Sequence, residues 1–261
     1  MSTAPLPPVA SAPISVPVEP PMSEGARIIN TFIAPSKTFT DLGRNAKWWS
    51  WVVPWLLISV AAIAFFAVVG QKIGFRKVAE NQVQASPKAT ERMDRMAPQD
   101  RENAMERQAK GTQFFTEYLY PVVILIINLV IAVLLFGTFT FIAGAKLNFK
   151  TSFAIVMFAG LPGILRLLLS IGAVFAGVDP DSFSLQNPVA TNPGYFLKPA
   201  DSPVLFSLAS SLDIFLIWTL VLCAIGFTCV SKVKRGTSFA IVFGWWIVFS
   251  LIGAGFAAAF S

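Results

Sequence analysis

The sequence predicts an all-α fold: a polytopic membrane bundle of five transmembrane helices that contains a duplicated helical hairpin. Three observations carry this reading. The 261-residue chain is 55% hydrophobic and only 13% charged, against about 25% charged in an ordinary soluble domain. Its apolar residues fall into five long runs, at about 51–70, 121–144, 153–177, 205–230 and 238–259. Each run reaches the roughly 20 residues that cross a hydrocarbon core, and none alternates as a strand would. A helix satisfies its own backbone in lipid, whereas an open strand does not. The third observation is a repeat. Thr151-Ser152-Phe153-Ala154-Ile155-Val156 recurs unchanged as Thr237-Ser238-Phe239-Ala240-Ile241-Val242, 86 positions on. At that offset Leu134 matches Leu220, Phe141 matches Phe227 and Lys146 matches Lys232. Each copy follows a short basic segment, so spans two and three are expected to repeat as spans four and five.

Residues 1–22 hold seven prolines and the single charge of Glu19. Such a segment buries too little surface to fold and is expected to be a disordered Pro-rich tail. It lacks the basic start and apolar run of a signal peptide. Residues 23–50 differ. Ile28, Ile29, Phe32 and Ile33 recur at helical spacing opposite Arg27 and Asn30, and Pro35 ends the run. With Trp48, Trp49, Trp51 and Trp55 beside Lys47, this segment is expected to be amphipathic and interfacial. Residues 51–261 then form the transmembrane domain. Its first loop, 71–120, is a polar insertion with nine basic and seven acidic residues, expected to form one or two exposed helices. Glu102, Glu106, Arg107 and Lys110 there lie at helical spacing for mutual support. The third loop, 178–204, has five prolines and is expected to be an irregular cap.

Basic residues set the topology. Arg27, Lys37, Arg44 and Lys47 precede the first span, Lys146 and Lys150 lie in the second loop, and Lys232, Lys234 and Arg235 in the fourth. The third loop offers Lys198 against Asp179, Asp181 and Asp201. Positive-inside logic puts the N-terminus in the cytoplasm and the C-terminus outside, although the nine basic residues of the first loop pull the other way.

The absence of histidine removes the commonest general base and the usual zinc ligand. Cys223 and Cys229 lie in one span on different helix faces, which points to neither a disulfide nor a metal site. No GxSxG, phosphate-binding loop, HExxH or paired carboxylates occur. No cofactor is expected. The net charge of +6 is spread along span flanks, where anionic headgroups suffice as partners. The expected partners are therefore the lipid bilayer and an unidentified membrane or cytoplasmic protein, with no nucleic acid.

Ionisable groups within spans are costly and need a partner or a purpose. Arg166 and Asp213 are the two cases, joined by the amide of Asn128. Counted from the outer ends, their depths are roughly 16, 12 and 10 Å. An arginine can snorkel far enough for the three to meet. This intramembrane polar cluster reads first as a packing device and second as a binding site. Pro162, in Gly160-Leu161-Pro162-Gly163, is expected to kink the third span and free the carbonyl near Phe158.

Three sets of short motifs lie in order along residues 25–260: Pro35-Ser36-Lys37-Thr38-Phe39 ahead of Trp48-Trp49-Ser50-Trp51-Val52-Val53-Pro54; Lys150-Thr151-Ser152-Phe153-Ala154 with Gly160-Leu161-Pro162; and Asp213-Ile214-Phe215-Leu216-Ile217-Trp218. In these the chain resembles the Yip family, the Ypt/Rab-interacting five-span membrane proteins, in its bacterial branch. The resemblance implies five spans, a cytoplasmic N-terminus and an outward C-terminus, in a bacterial inner or cell membrane. Eukaryotic members look like adaptors for prenylated Rab GTPases. The Asp-Leu-Tyr-Gly segment of those members is missing here, and the 71–120 loop is extra, so Rab binding does not carry over. The expectation is a non-enzymatic membrane adaptor or organiser. The alternative is a small transporter or channel using the polar cluster.

Overall fold

The computed structural model describes residues 20–260. The Pro-rich tail expected over 1–22 therefore lies, up to residue 19, outside the described residues. The described chain is all-helical: α1 (Glu24–Ile33), α2 (Pro35–Asn45), α3 (Val52–Lys72), α4 (Phe75–Gln84), α5 (Pro87–Asp94), α6 (Pro98–Phe114), α7 (Tyr120–Gly137), α8 (Phe149–Ala159), α9 (Pro162–Phe175), α10 (Pro203–Ser210), α11 (Ile214–Ser231) and α12 (Arg235–Phe260). Proline opens α2, α5, α6, α9 and α10. The first turn of a helix has no acceptor for the missing N–H, so the expected breakers act as starters.

Five helices are long and apolar enough to cross a membrane: Val52–Lys72, Pro98–Ile142, Phe149–Phe175, Ile214–Ser231 and Arg235–Ala259. The second is continuous because π-helical turns at Phe115–Leu119 and Thr138–Ile142 join α6 to α7 and extend α7. The third consists of α8 and α9 end to end. At their junction Leu161 N–H donates to the Phe158 carbonyl at 3.2 Å and Gly163 N–H to that of Gly160 at 3.0 Å. The interruption at Pro162 is present, but the Phe158 carbonyl is not free, because tight i,i+3 bonds recapture it. The fourth span starts later than the composition suggested. Residues 203–210 form the separate α10, and α11 begins only after Asp213.

The bundle's two ends are each held together by contacts between distant segments. At one end Asn81 Nδ2 donates to the carbonyls of Pro180 at 2.8 Å and Phe183 at 2.9 Å. Lys77 pairs there with Asp181, and Lys88 Nζ donates to the Ala259 carbonyl at 2.8 Å. The polar insertion, the third loop and the end of α12 thus share one side. The insertion itself is three helices, with α4 packed on α6. Lys110 pairs with Glu106 at 2.7 Å as expected, but Glu102 turns to Arg76, 2.5 Å away on α4. The Arg76 guanidinium holds the Glu102 carboxyl below its ordinary range through that hydrogen bond.

At the opposite end α1 and α2 form a hairpin inserted against α8 and α11. Phe39 and Leu42 are fully buried. Gly43 faces Val230 and Gly226 faces Phe39, while the Phe32 ring meets Trp218 at 5.8 Å. The hairpin tip therefore reaches roughly 20 Å along α11 from Ser231, at 1.5 Å per residue. Trp48 and Trp49 remain exposed at the mouth, with Lys47 over the Trp49 ring. A Cβ at Gly226 would lie 2.5 Å from Ile155 Cγ2 and 3.1 Å from Phe39 Cδ1. Gly226→Val is therefore expected to cost about 1–3 kcal/mol through overpacking. Thermal unfolding in detergent checks this, and a variant as stable as the parent would show that the hairpin does not seat there.

The half of the bundle nearer the α1–α2 hairpin is a packed core. Phe139 and Phe227 stack with centroids 4.4 Å apart, and Ile155, Phe158 and Leu222 fill the space around them. The hairpins α7–α8 and α11–α12 each pack against themselves. They are interrupted at different places, α8–α9 at Gly160–Leu161 and α10–α11 just before Asp213.

Candidate functional site: a buried ion pair between two crevices

Asp213 sits where α10 gives way to α11. α10 descends along α12, with Ser207 facing Gly253, and Trp246 Nε1 donates to the Ser211 carbonyl at 3.3 Å. The chain then turns and restarts as α11 with Asp213 as its N-cap: Asp213 Oδ1 accepts from Phe215 N–H at 2.9 Å and Leu216 N–H at 3.2 Å. Asp is among the best N-caps, because its carboxylate replaces the acceptors that a first turn lacks. That preference was the available signal for a break at this point.

The other carboxylate oxygen faces the rest of the site. Thr191 Oγ1 donates to Asp213 Oδ2, and Asn192 Nδ2 approaches it at 3.5 Å. Asn192 also donates to Asn187 Oδ1 at 3.1 Å, and Asn187 donates to Ser210 Oγ at 2.7 Å. Ile214 N–H donates to the Thr191 carbonyl at 3.1 Å. The loop expected as a loose cap is thus a polar plug: Asn187, Thr191, Asn192 and Asp213 are all buried. Gly194 lets the loop close on α10, since a Cβ there would lie 2.2 Å from Ser210 Oγ and 2.8 Å from Ser210 N.

Arg166 approaches from α9. Its Nε lies 3.3 Å from Asp213 Oδ2, but the N–H is not aimed at that oxygen and makes no hydrogen bond. Nη2 donates to the Gln186 carbonyl at 3.1 Å. The pair is lopsided in burial, with the Asp213 side chain 4% exposed and that of Arg166 33%. Asn128 faces the same space from α7 but donates to the Ile124 carbonyl of its own helix at 2.8 Å. The three residues singled out by depth therefore share one site, yet only Arg166 and Asp213 interact.

Two crevices meet at Arg166. One, of about 680 Å³, lies between α7 and the α10–α12 face. The other, of about 820 Å³, lies between α3, α6–α7 and α9. Asn128, Arg166, Gln186 and Thr219 line both. Arg166 is the only cation among the described lining residues of either crevice. The first crevice reaches Leu135, Val156 and Cys223 of the core that contains the Phe139–Phe227 stack.

Sequence reasoning missed Gln186, Asn187, Thr191 and Asn192. The available hint was the pair of Asn-Pro steps at Asn187-Pro188 and Asn192-Pro193, in a loop otherwise poor in charge. A family model described as the Yip1 domain matches residues 29–256. No curated protein and no solved structure matches the chain.

Proposed function

This chain belongs to the Yip1-domain family, and we propose that it acts as a non-enzymatic multi-pass membrane adaptor or organiser of the bilayer. The observation that carries the reading is the packed half nearer the α1–α2 hairpin. Among the described residues, the Phe139–Phe227 stack and the apolar core around it lie between Arg166 and the α1–α2 end. The crevices open sideways between helices, where lipid tails or a partner's helix can lie. In this reading Asp213 organises packing by capping α11 and anchoring the plug. The N-terminus with α1–α2 faces the cytoplasm, and α4–α6 with the third loop face outward, as the basic flanks favour.

A second reading, a small solute transporter, is favoured by one feature: two crevices reach a common cation within the bundle. Reconstitution separates the two. Proteoliposomes are expected to show no specific flux across a panel of amino acids, sugars and ions, while cross-linking in native membranes recovers a reproducible protein partner. Specific flux abolished by Arg166→Ala would overturn the organiser reading. Orientation is checked with an impermeant maleimide on intact cells. Arg95→Cys, at a highly exposed position of the insertion, should label, and Lys234→Cys should label only after lysis. The reverse pattern would invert the topology.

A further inference from the structure

We propose that the crevice between α7 and the α10–α12 face is a site for one anionic phospholipid, its phosphate on Arg166 and an acyl chain along the apolar wall. This deepens the organiser reading and rests on it for the source of the ligand, the surrounding bilayer.

The charge argument comes first. A guanidinium has five donors. For Arg166 the protein supplies one hydrogen-bond acceptor, the Gln186 carbonyl to Nη2. Nε is buried without a hydrogen bond, and Nη1 has no acceptor among the described residues. The side chain is one-third exposed and lines the crevice. Asp213 does not use up this charge. Its carboxylate is taken by two backbone N–H groups and the Thr191 hydroxyl. It also stands at the N-terminus of the 18-residue α11, whose dipole places about half a positive charge against it. A positive remainder therefore faces the crevice from Arg166, and no other charged side chain among the described residues lines it.

The crevice is amphipathic in the sense that a lipid requires. Asn128, Gln186, Ser207 and Ser211 join Arg166 in its polar lining. Ile131, Leu134, Leu220, Trp245 and Phe249 form the remaining wall. Its volume of about 680 Å³ suits a headgroup and one chain. The entrance lies in the bilayer. Ile126, Ile127 and Val130 on α7 are exposed and apolar, and α7 and α12 belong to the two least buried spans. Gln186, which holds Arg166, belongs to the loop tied to α4 through Asn81, so the lipid comes from the leaflet on that side. Phosphate suits the site because guanidinium donors match its oxygens in charge and geometry.

The test uses full-length protein in a neutral detergent. Phosphatidylglycerol, phosphatidylcholine and inorganic phosphate are titrated in turn, and retained adducts are read by native mass spectrometry alongside thermal unfolding. Phosphatidylglycerol is expected to be retained preferentially and to stabilise the protein, with Arg166→Gln weakening retention at least about tenfold as a charge-assisted contact is lost. Ser250→Trp, which fills the crevice from α12 without touching Asp213, should weaken it similarly even if Arg166→Gln folds poorly. Equal retention of both lipids, or unchanged binding in Ser250→Trp, would overturn the site. A matching stabilisation by inorganic phosphate alone would also overturn it, by showing an anion site that does not need lipid. Solute flux in the reconstitution assay would instead overturn the organiser reading and leave lipid retention unaffected, so the two failures are distinguishable.

Discussion

Asp213→Ala is expected to destabilise the detergent-solubilised protein by about 3–5 kcal/mol, the range for breaking a buried charge pair from one side. The loss has several parts. Two N–H groups at the start of α11 lose their acceptor. The Thr191 hydroxyl is left in a buried pocket without Asp213, and Arg166 loses its counter-charge at 3.3 Å. Asp213→Asn is the informative control, because asparagine caps as well as aspartate. It should recover the capping part and leave the charge part missing. Arg166→Ala should cost less than Asp213→Ala, because Asp213 keeps its N–H and hydroxyl donors and Arg166 is one-third exposed already. Thermal unfolding of the three variants with far-UV circular dichroism reads this order. Asp213→Ala as stable as the parent would show that the plug and the cap do not hold this half of the bundle together.

The second large effect is expected at the other end of the bundle. Arg27, 3% exposed, joins α1 to α2 through Asp41 at 2.7 Å and braces α1 through Glu24 at 2.6 Å. Its own carbonyl accepts the hydroxyls of Thr31 at 2.8 Å and Thr38 at 2.9 Å. Asp41 Oδ1 accepts from Asn45 at 2.7 Å and from Met22 N–H at 3.2 Å. Arg27→Ala leaves that carboxylate buried beside Glu24 without a cation, which is expected to cost about 3–5 kcal/mol. Hydrogen exchange should show 24–45 losing protection before the spans do, since the hairpin is the unit the pair holds. The double variant Arg27→Met/Asp41→Leu should recover most of the loss, because apolar replacement of a buried pair is often neutral. A single variant with parent-like protection would refute the clamp.

The same clamp predicts a pH response. Burial pushes the Asp41 carboxyl up, but hydrogen bonds from Asn45, Arg27 and Met22 N–H outweigh it and hold the group below its ordinary value. A depressed folded pKa contributes stability above the unfolded value, near pH 3.9, and that stability is lost as pH falls through the folded value. Hairpin protection should therefore be constant at neutral pH and fall only below about pH 4. Asp41→Asn should remove that acid step.

How far residues spoke for themselves depended on the range of the contacts involved. The spans at 52–72, 149–175 and 235–260 were legible because crossing a bilayer demands long apolar runs, and such runs are local in sequence. Arg166 and Asp213 were visible as charges where none is cheap, and counting rise per residue was enough to place them at similar heights. Asp213 as a cap was legible in principle from its residue type. The run of apolar residues on either side, from Val204 to Ile217, concealed it by reading as one span. Asn187, Thr191 and Asn192 were not legible. Apart from the Asn192–Asn187 bond within the loop, their side-chain partners are Ser210 and Asp213, more than a dozen positions away, and no periodicity marks a loop residue for burial. The depth of α1 and α2 was likewise hidden, because an 11-residue amphipathic helix has the same pattern whether its apolar face meets lipid or Gly226 and Val230 of α11.

What the sequence by itself determined is the set of elements: five membrane-crossing helices, a polar insertion between the first two, and charged residues within the third and beside the fourth. Solvation decides these, since burying a charge or leaving an apolar run in water costs several kcal/mol at any position in the chain. What only the tertiary structure decided is which groups meet. Glu102 chose Arg76 over its helical neighbour, Gly226 opened a seat for Phe39, and the third loop folded inward to share Asp213 between Thr191 and Arg166. Those outcomes depend on separations of a few ångström between segments remote in the chain, where packing and hydrogen-bond geometry rather than residue type set the energy.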